Sequence, residues 1–227
     1  MGDPHRKPDR ERDPDRTRAA ILDAAEQLFA EQGYDASSLA EVGLRAGVSR
    51  GTPGYFFGSK AELYRAVLER CFDEVRSAVR TGRERTRSGT HAPEEILEGA
   101  VSDYFDFLSA RPNFVRLIER EALNGARLLH DTAPPLSAGQ EALAAIAAEL
   151  GLDPSPSGEA AQLLLSIISL CWFPVIHADT VAAAVGVDTA SAGAREQRKR
   201  HVIALVTHGL RGLSAGRADS LLLDASS

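Results

Sequence analysis

Apolar residues recur at helical spacing along most of the chain. The first run begins at Pro14 and ends at Gly33, and its apolar face carries Ile21, Ala25, Leu28 and Phe29. Later helices are predicted from Ser59 and from near residues 93, 113, 136, 159 and 195. No stretch alternates apolar and polar residues as a half-buried strand would. The pattern predicts an all-α protein with about nine helices.

Residues 37–60 predict two short helices joined by a tight turn, with a third helix starting behind them. Ser38 followed by Glu41 is a capping box that starts the first of these helices. Gly47 stands where that helix must end in a left-handed residue, and Ser49 can cap the next one. A turn of this length joins the helices of a helix-turn-helix motif.

The second short helix, at residues 50–57, has a composition that disfavours helices. Gly51, Pro53 and Gly54 all have low helix propensity, although proline is tolerated in a first turn. The bundle beneath must therefore hold the shape of this segment. A second capping box, Ser59 followed by Glu62, starts a long helix that runs to about residue 78 or 87.

The motif Ser-x-x-Glu-Val-x-x-Arg-Ala-Gly-Val-Ser-Arg-Gly-Thr, followed by Tyr-x-Phe-x-Ser-Lys-x-x-Leu, resembles the DNA-binding signature of TetR-type transcriptional regulators. The resemblance extends from about Arg16 to about Leu68, and later helices match only in layout. Pro53, Gly54 and Phe56 depart from the commoner residues of that family, which affects base specificity. The resemblance implies a helix-turn-helix DNA-binding domain followed by a helical ligand-binding and dimerisation domain.

Several positions of the motif are predicted to contact DNA: Ser37, Ser38, Arg50, Gly51, Thr52, Tyr55 and Lys60. Residues 50–52 stand at the start of the recognition helix, from which side chains reach base edges in the major groove. The Tyr55 hydroxyl suits a phosphate, and Lys60 combines a cation with a helix N-terminus. Ser37 and Ser38 can contact phosphate across the groove, although Ser38 also fits a purely capping role.

Charge is nearly balanced in the predicted DNA-binding region. Residues 1–60 contain nine Lys or Arg against ten Asp or Glu, and the whole chain has a net charge of −6. Contact with phosphates depends on where individual cations point, so the balance is compatible with DNA binding. We expect Asp23, Glu26 and Glu31 of the first helix to face away from DNA. Affinity then rests on a few placed groups, chiefly Lys60, Tyr55 and Arg50.

The predicted organisation has four parts: a polar arm at 1–15, a helix-turn-helix domain at 16–62, a helical domain at 63–217 and a flexible tail at 218–227. The arm either reaches the minor groove or stays a solvated tail, because its acids cancel its bases. Within the helical domain, Pro174 interrupts an almost wholly apolar helix and should free a backbone carbonyl near residue 170.

Specific DNA binding predicts a homodimer, because one recognition helix reads only a few base pairs. The last two long helices carry more apolar surface than a monomer core requires and are the predicted interface. The TetR resemblance implies that they pair with their mates in a four-helix bundle.

The same resemblance implies a ligand cavity in the second domain. Its candidate lining residues are aromatic or polar groups on the expected helices: Tyr104, Phe107, Phe114, Glu121, Trp172 and His177. Glu121 lies on an apolar stripe, so its carboxylate is either in a structural ion pair or in contact with a ligand.

Composition and motif content argue against other classes of protein. No convergent acid, base or nucleophile set predicts an enzyme, and no cofactor is expected. His177 and Asp179 form only a weak metal motif, so no metal site is predicted. Two distant cysteines indicate a reducing compartment, and no leader or membrane span is recognised, which indicates a cytoplasmic protein.

The predicted function is a ligand-responsive DNA-binding regulator. It would be a dimeric repressor that binds a palindromic double-stranded operator and is released by an unidentified small-molecule effector. The alternative is a DNA-binding regulator or architectural protein without a small-molecule ligand. A cavity of ~300 Å³ or more would favour the first version, and one filled with bulky side chains would favour the second.

Overall fold

The computed structural model describes residues 14–87, 92–126 and 133–224, and all regular structure in these ranges is helical. The nine α-helices of these ranges are α1 Pro14–Gln32, α2 Leu39–Arg45, α3 Thr52–Phe57, α4 Lys60–Arg87, α5 Pro93–Ala110, α6 Pro112–Leu123, α7 Ala133–Leu150, α8 Glu159–Ile176 and α9 Ala192–Asp224. A π-helical turn, Ala178–Ala182, follows α8. The predicted all-α class is confirmed.

The chain divides into two compact units, residues 1–67 and 68–227, and the division falls within α4. Of the predicted N-terminal arm, residues 1–13 lie outside the described residues, while Pro14 and Asp15 open α1. Residues 218–224 of the predicted flexible tail continue α9 as a helix to Asp224, and their flexibility stays a prediction.

The first unit is a small helical bundle with an apolar core. Ile21, Phe29, Val42 and Leu63 are fully buried, and Phe29 meets the ring of Tyr64 edge-on at 5.0 Å between centroids. Glu26 is also buried, so its carboxylate does not face solvent. Its position on α1, one residue after buried Ala25, places it on the core side of the helix.

Capping explains where the short helices begin. Ser38 is the N-cap of α2 and accepts from the Glu41 backbone N–H at 3.3 Å. At α4, the Ser59 N–H donates to Glu62 Oε2 at 2.9 Å, and the Glu62 N–H donates to Ser59 Oγ at 3.2 Å. Both predicted capping sites are therefore present, and the one at α4 forms reciprocally.

The turn between α2 and α3 differs in one detail from the prediction. Gly47 has a φ of 69°, the left-handed conformation that ends α2. The N-cap of α3 is Gly51 and not Ser49. The Ser49 hydroxyl instead lies 2.6 Å from the Thr52 hydroxyl, so the two side chains bond to each other rather than to the helix backbone.

The second unit is arranged around α5, which packs against α6, α7, α8 and α9. Its start is fixed by Glu95, whose side chain accepts from the Ala92 N–H at 3.1 Å. The buried face of α5 includes Leu97, Val101 and Leu108. This face places Tyr104 in the interior of the unit, where the second candidate site lies.

Candidate functional site

α3 presents one face to solvent and one to the bundle. Tyr55 is 87% exposed and Arg50 is exposed, whereas Pro53 and Phe57 are buried beneath them. Arg50 makes no hydrogen bond or ion pair with the described part of the chain. The exposed face therefore offers one unengaged guanidinium and one phenolic hydroxyl, at the start and in the middle of a helix.

Gly43 sets how closely α2 approaches the turn into α3. A Cβ at this position would lie 2.7 Å from the Ser49 backbone oxygen and 3.1 Å from the Arg50 Cα. Only glycine allows this approach without a backbone shift. Sequence reasoning missed Gly43, although a glycine inside a short, well-capped helix is itself a signal of close packing.

Ser37 and Lys60 point into the protein in this structure. The buried Ser37 hydroxyl donates to the Gly33 carbonyl at 2.7 Å. The Lys60 ammonium donates to the carbonyls of Tyr34 at 2.9 Å and Ser37 at 3.0 Å, and it lies 4.3 Å from the centre of the Tyr34 ring. A third, longer bond reaches Asp35 at 3.4 Å.

These bonds engage the Lys60 ammonium within the first unit, whereas the sequence predicts that it contacts phosphate. An ammonium group has three protons, and each has a backbone carbonyl of the α1–α2 loop within reach. Ser38 stays exposed, but its hydroxyl is bonded to Glu41 Oε2 at 2.7 Å. The geometry thus presents Arg50, Gly51 and Tyr55 outward and uses Ser37 and Lys60 to shape the loop.

Two further cations of the first unit are held by partners. Arg45 pairs with Glu31 at 2.7 Å between Nη1 and Oε2. The Arg18 guanidinium lies 4.4 Å from the centre of the Phe57 ring, as in a cation–π contact. These contacts join α1 to α2 and to α3, so they stabilise the bundle that carries the exposed face.

A cavity of about 240 Å³ lies within the second unit, between α4, α5, α6, α7 and α8. Of the predicted ligand residues, Tyr104, Phe114 and Trp172 line it. The Trp172 indole N–H donates to the Tyr104 hydroxyl oxygen at 2.5 Å, and the rings of Trp172 and Phe114 are 6.0 Å apart. Burial raises the pKa of Tyr104 well above its usual value, so the phenol keeps its proton.

Phe107, Glu121 and His177 do not line the cavity, in contrast to the prediction. Phe107 packs edge-on against the outer side of Phe114, at 5.7 Å between ring centroids. Glu121 is buried on α6, where it interacts with another group of the protein. His177 is the residue that follows the last residue of α8. The centre of its ring lies 4.4 Å from the centre of the Phe173 ring.

Sequence reasoning missed two parts of the cavity wall. Phe72, Val75 and Val79 of α4 line it. On α7, small residues leave the space open: Ala138, Gly139, Ala142 and Ala145. The alanine-rich composition of that helix was the available signal.

A second hollow, of about 990 Å³, lies between α5 and residues 173–201 and contains none of the predicted ligand residues. Its rim leaves Phe173, Val181 and Val185 exposed. α8 is also long and apolar enough by composition to cross a membrane, a test that helices of soluble proteins pass as well.

Groups suited to covalent or metal chemistry are sparse in residues 14–87, 92–126 and 133–224. No cluster of three or more His, Cys, Asp or Glu side chains is placed to hold a metal ion there. Cys71 and Cys171 are buried thiols. Burial raises the pKa of the Cys171 thiol to about 12, which makes it a poor nucleophile at neutral pH.

A helix-turn-helix unit with an exposed recognition helix, joined to a helical unit with an internal cavity, defines a DNA-binding regulator. The profile of the bacterial regulatory proteins of the tetR family matches residues 21–67, and the profile of the tetracyclin repressor-like C-terminal domain matches residues 93–206. The chain belongs to the TetR family of transcriptional regulators.

Relatives of known role include both activators and repressors. The chain is 38% identical over 104 residues to the transcriptional activator FasR of Mycolicibacterium smegmatis, a match that covers 46% of each chain. It is 27% identical over 207 residues to the transcriptional repressor NicS of Pseudomonas putida, which covers 87% of this chain and 93% of NicS.

The fold also has solved counterparts. A TetR-like transcriptional regulator from a Rhodococcus species superimposes with a TM-score of 0.60 at 20% identity, over 86% of this chain and 96% of that one. At this identity the similarity shows the fold alone. These relatives are regulators and not enzymes.

Proposed function

We propose that this protein is a cytoplasmic, homodimeric repressor that binds a palindromic DNA operator and is released by a small-molecule effector. The observation that carries the proposal is α4. This helix begins with a capping box next to the recognition helix and lines the internal cavity with Phe72, Val75 and Val79. A ligand in the cavity would therefore touch the helix whose first residues belong to the first unit.

The proposed DNA contacts follow the exposed face of α3. Arg50, Gly51 and Thr52 meet base edges from the start of the helix, and Tyr55 donates its hydroxyl proton to a phosphate. Ser38 lies at the exposed N-terminus of α2 and contacts phosphate across the groove. Ser37 and Lys60 act indirectly, because their hydrogen bonds fix the loop that positions α2.

Exposed apolar residues on the last two helices support the homodimer. Leu165 on α8 is 58% exposed, and Phe173 and Leu205 are each 46% exposed. Apolar side chains this exposed are candidates for burial against a partner. Pairing of α8 and α9 with their mates would bury them.

In the proposed mechanism, the ligand binds better to the dimer whose recognition helices no longer fit successive major grooves. Affinity for the two states must differ by about 1–3 kcal/mol for a typical allosteric coupling. The alternative, a regulator without a small-molecule ligand, is favoured by one observation. The cavity of about 240 Å³ is smaller than the ~300 Å³ at which ligand pockets usually begin.

The test is a gel shift with operator DNA selected from random fragments by the purified protein. Arg50→Ala and Tyr55→Phe should each weaken binding by about tenfold, as loss of one good polar contact does. Arg116→Ala, which removes an exposed arginine from the second unit, is the matched control and should bind normally. Unchanged affinity in both α3 variants would disprove the assigned interface.

A further inference from the structure

The wall of the internal cavity is almost entirely apolar. Among the described residues that line it, only Tyr104, Glu149 and Trp172 carry polar side-chain atoms. No Lys, Arg or His is among them. A buried anion needs a cation or several donors to replace its hydration, and this wall supplies neither. A carboxylate or phosphate ligand is therefore disfavoured.

The cavity wall also offers little to bind a cationic ligand. Glu149 is the one anionic group of the lining, and it is already engaged in an interaction within the protein. A desolvated ammonium would have to compete for it while the rest of the wall offers only apolar contact. The wall therefore selects neutral molecules.

One polar position in the cavity has a defined donor. The Tyr104 hydroxyl oxygen accepts from Trp172 Nε1, which leaves the phenolic proton available. Among the described residues, no acceptor for that proton is found. A buried hydrogen-bond donor without an acceptor costs free energy. A ligand that carries an acceptor at this point therefore gains affinity.

The volume of the cavity limits ligand size. An apolar protein cavity of about 150 Å³ holds benzene, with six carbon atoms. By simple proportion, about 240 Å³ holds a molecule of roughly ten non-hydrogen atoms. Because the cavity is partly open, this limit applies to the part of a ligand that the cavity encloses.

We propose that the effector is a small neutral molecule, largely apolar, with one carbonyl, ether or hydroxyl oxygen that accepts the Tyr104 hydroxyl proton. This inference rests on the proposed ligand-sensing function and specifies its chemistry. In this proposal, Tyr104 selects ligands that carry an acceptor oxygen. The small residues of α7 set the size of the group that the cavity encloses.

Three aliphatic probes with equal numbers of non-hydrogen atoms test whether the cavity prefers a neutral ligand to an ion. They are 2-octanone, heptanoate and octylamine. Calorimetric titration of the full chain at pH 7 should show that 2-octanone binds at least tenfold more tightly than either ion. The fluorescence of Trp172, the only tryptophan of the chain, should change with the same dependence on 2-octanone concentration. Equal or tighter binding of an ion, or no binding of the ketone, overturns the proposal.

Two pairs of variants locate the site. Tyr104→Phe should weaken 2-octanone about tenfold, while Tyr64→Phe, at another buried tyrosine in the first unit, should not. Ala142→Leu fills the cavity and should abolish binding, whereas Ala144→Leu, on the exposed face of the same helix, should leave it intact. Binding that survives Ala142→Leu contradicts the proposal even if Tyr104→Phe proves unstable.

A gel shift with each probe separates this inference from the function on which it rests. If the ketone binds in the cavity without releasing DNA, the ligand chemistry holds and the ligand-released repressor fails. If heptanoate releases DNA and the ketone does not, the repressor holds and the chemistry proposed here is wrong.

Discussion

Arg198 donates a hydrogen bond from Nη2 to the backbone carbonyl of Leu170, at 3.0 Å. That carbonyl lies four residues before Pro174, which has no N–H to offer it inside α8. An arginine of α9 thus replaces the backbone bond that proline removes. The Nε atom of the same guanidinium is buried and has no partner among the described residues.

Arg198→Met should destabilise the protein by about 1 kcal/mol, because the partly buried Leu170 carbonyl then loses its hydrogen bond. Urea unfolding of the full chain measures the loss. Arg200→Met, at an exposed arginine two residues along α9, is the control and should change stability by less than about 0.5 kcal/mol.

Pro174→Ala supplies the missing N–H and should make the Arg198 substitution less costly. In a double-mutant cycle, the penalty of Arg198→Met should fall by about 1 kcal/mol in the Pro174→Ala background. Additive effects would show that Arg198 does not act on this carbonyl.

Lys60→Met should weaken operator binding without changing its dependence on salt. The ammonium holds the loop carbonyls of Tyr34 and Ser37, so its loss disturbs α2 and releases no counterion from DNA. Gel shifts over a range of salt concentrations measure the slope. A slope lowered by about one would show that Lys60 contacts phosphate directly.

Gly43→Ala and Gly54→Ala should have opposite effects on stability. The new Cβ at position 43 would lie 2.7 Å from the Ser49 backbone oxygen, and relieving this contact requires a shift of the backbone. We expect a loss of about 1–3 kcal/mol from this overpacking. At position 54 the nearest atom is Leu39 Cδ1 at 3.8 Å, so the better helix propensity of alanine should stabilise by up to about 1 kcal/mol.

Thermal unfolding of both glycine variants provides the comparison. Equal effects at the two positions would mean that close approach at Gly43 is unimportant.

Leu165→Asp should dissociate the proposed homodimer, because it would place a charge in the apolar interface of α8. Leu44→Asp is a matched control, since Leu44 on α2 is 59% exposed and Leu165 is 58% exposed. Sedimentation equilibrium without DNA should give a monomer for the first variant and a dimer for the second. A dimer in both would move the interface away from α8.

Local chemistry made much of the fold predictable from sequence. The capping sites at Ser38 and Ser59 and the left-handed Gly47 depend on residues within one turn, and all three are present. The carbonyl freed by Pro174 follows from helix geometry in the same way. Its partner, Arg198, lies on another helix, and no local pattern indicates it.

The directions of several side chains depend on contacts that no local pattern shows. Leu44, an apolar residue before the turn, is exposed because α2 ends at Arg45 and has little more than one face to bury. The direction of Lys60 depends on carbonyls of a loop more than twenty residues earlier in the chain. Phe107 lies on a suitable helix and His177 follows the end of one, yet the direction in which each side chain leaves the backbone decides whether it reaches the cavity.

Four residues of α7 that line the cavity are alanine or glycine. Exchange of one of them for valine or leucine would change which molecules fit while every contact of α3 stays as it is. If the proposed function is correct, the choice of effector can be altered by single substitutions in α7 that leave the operator unchanged.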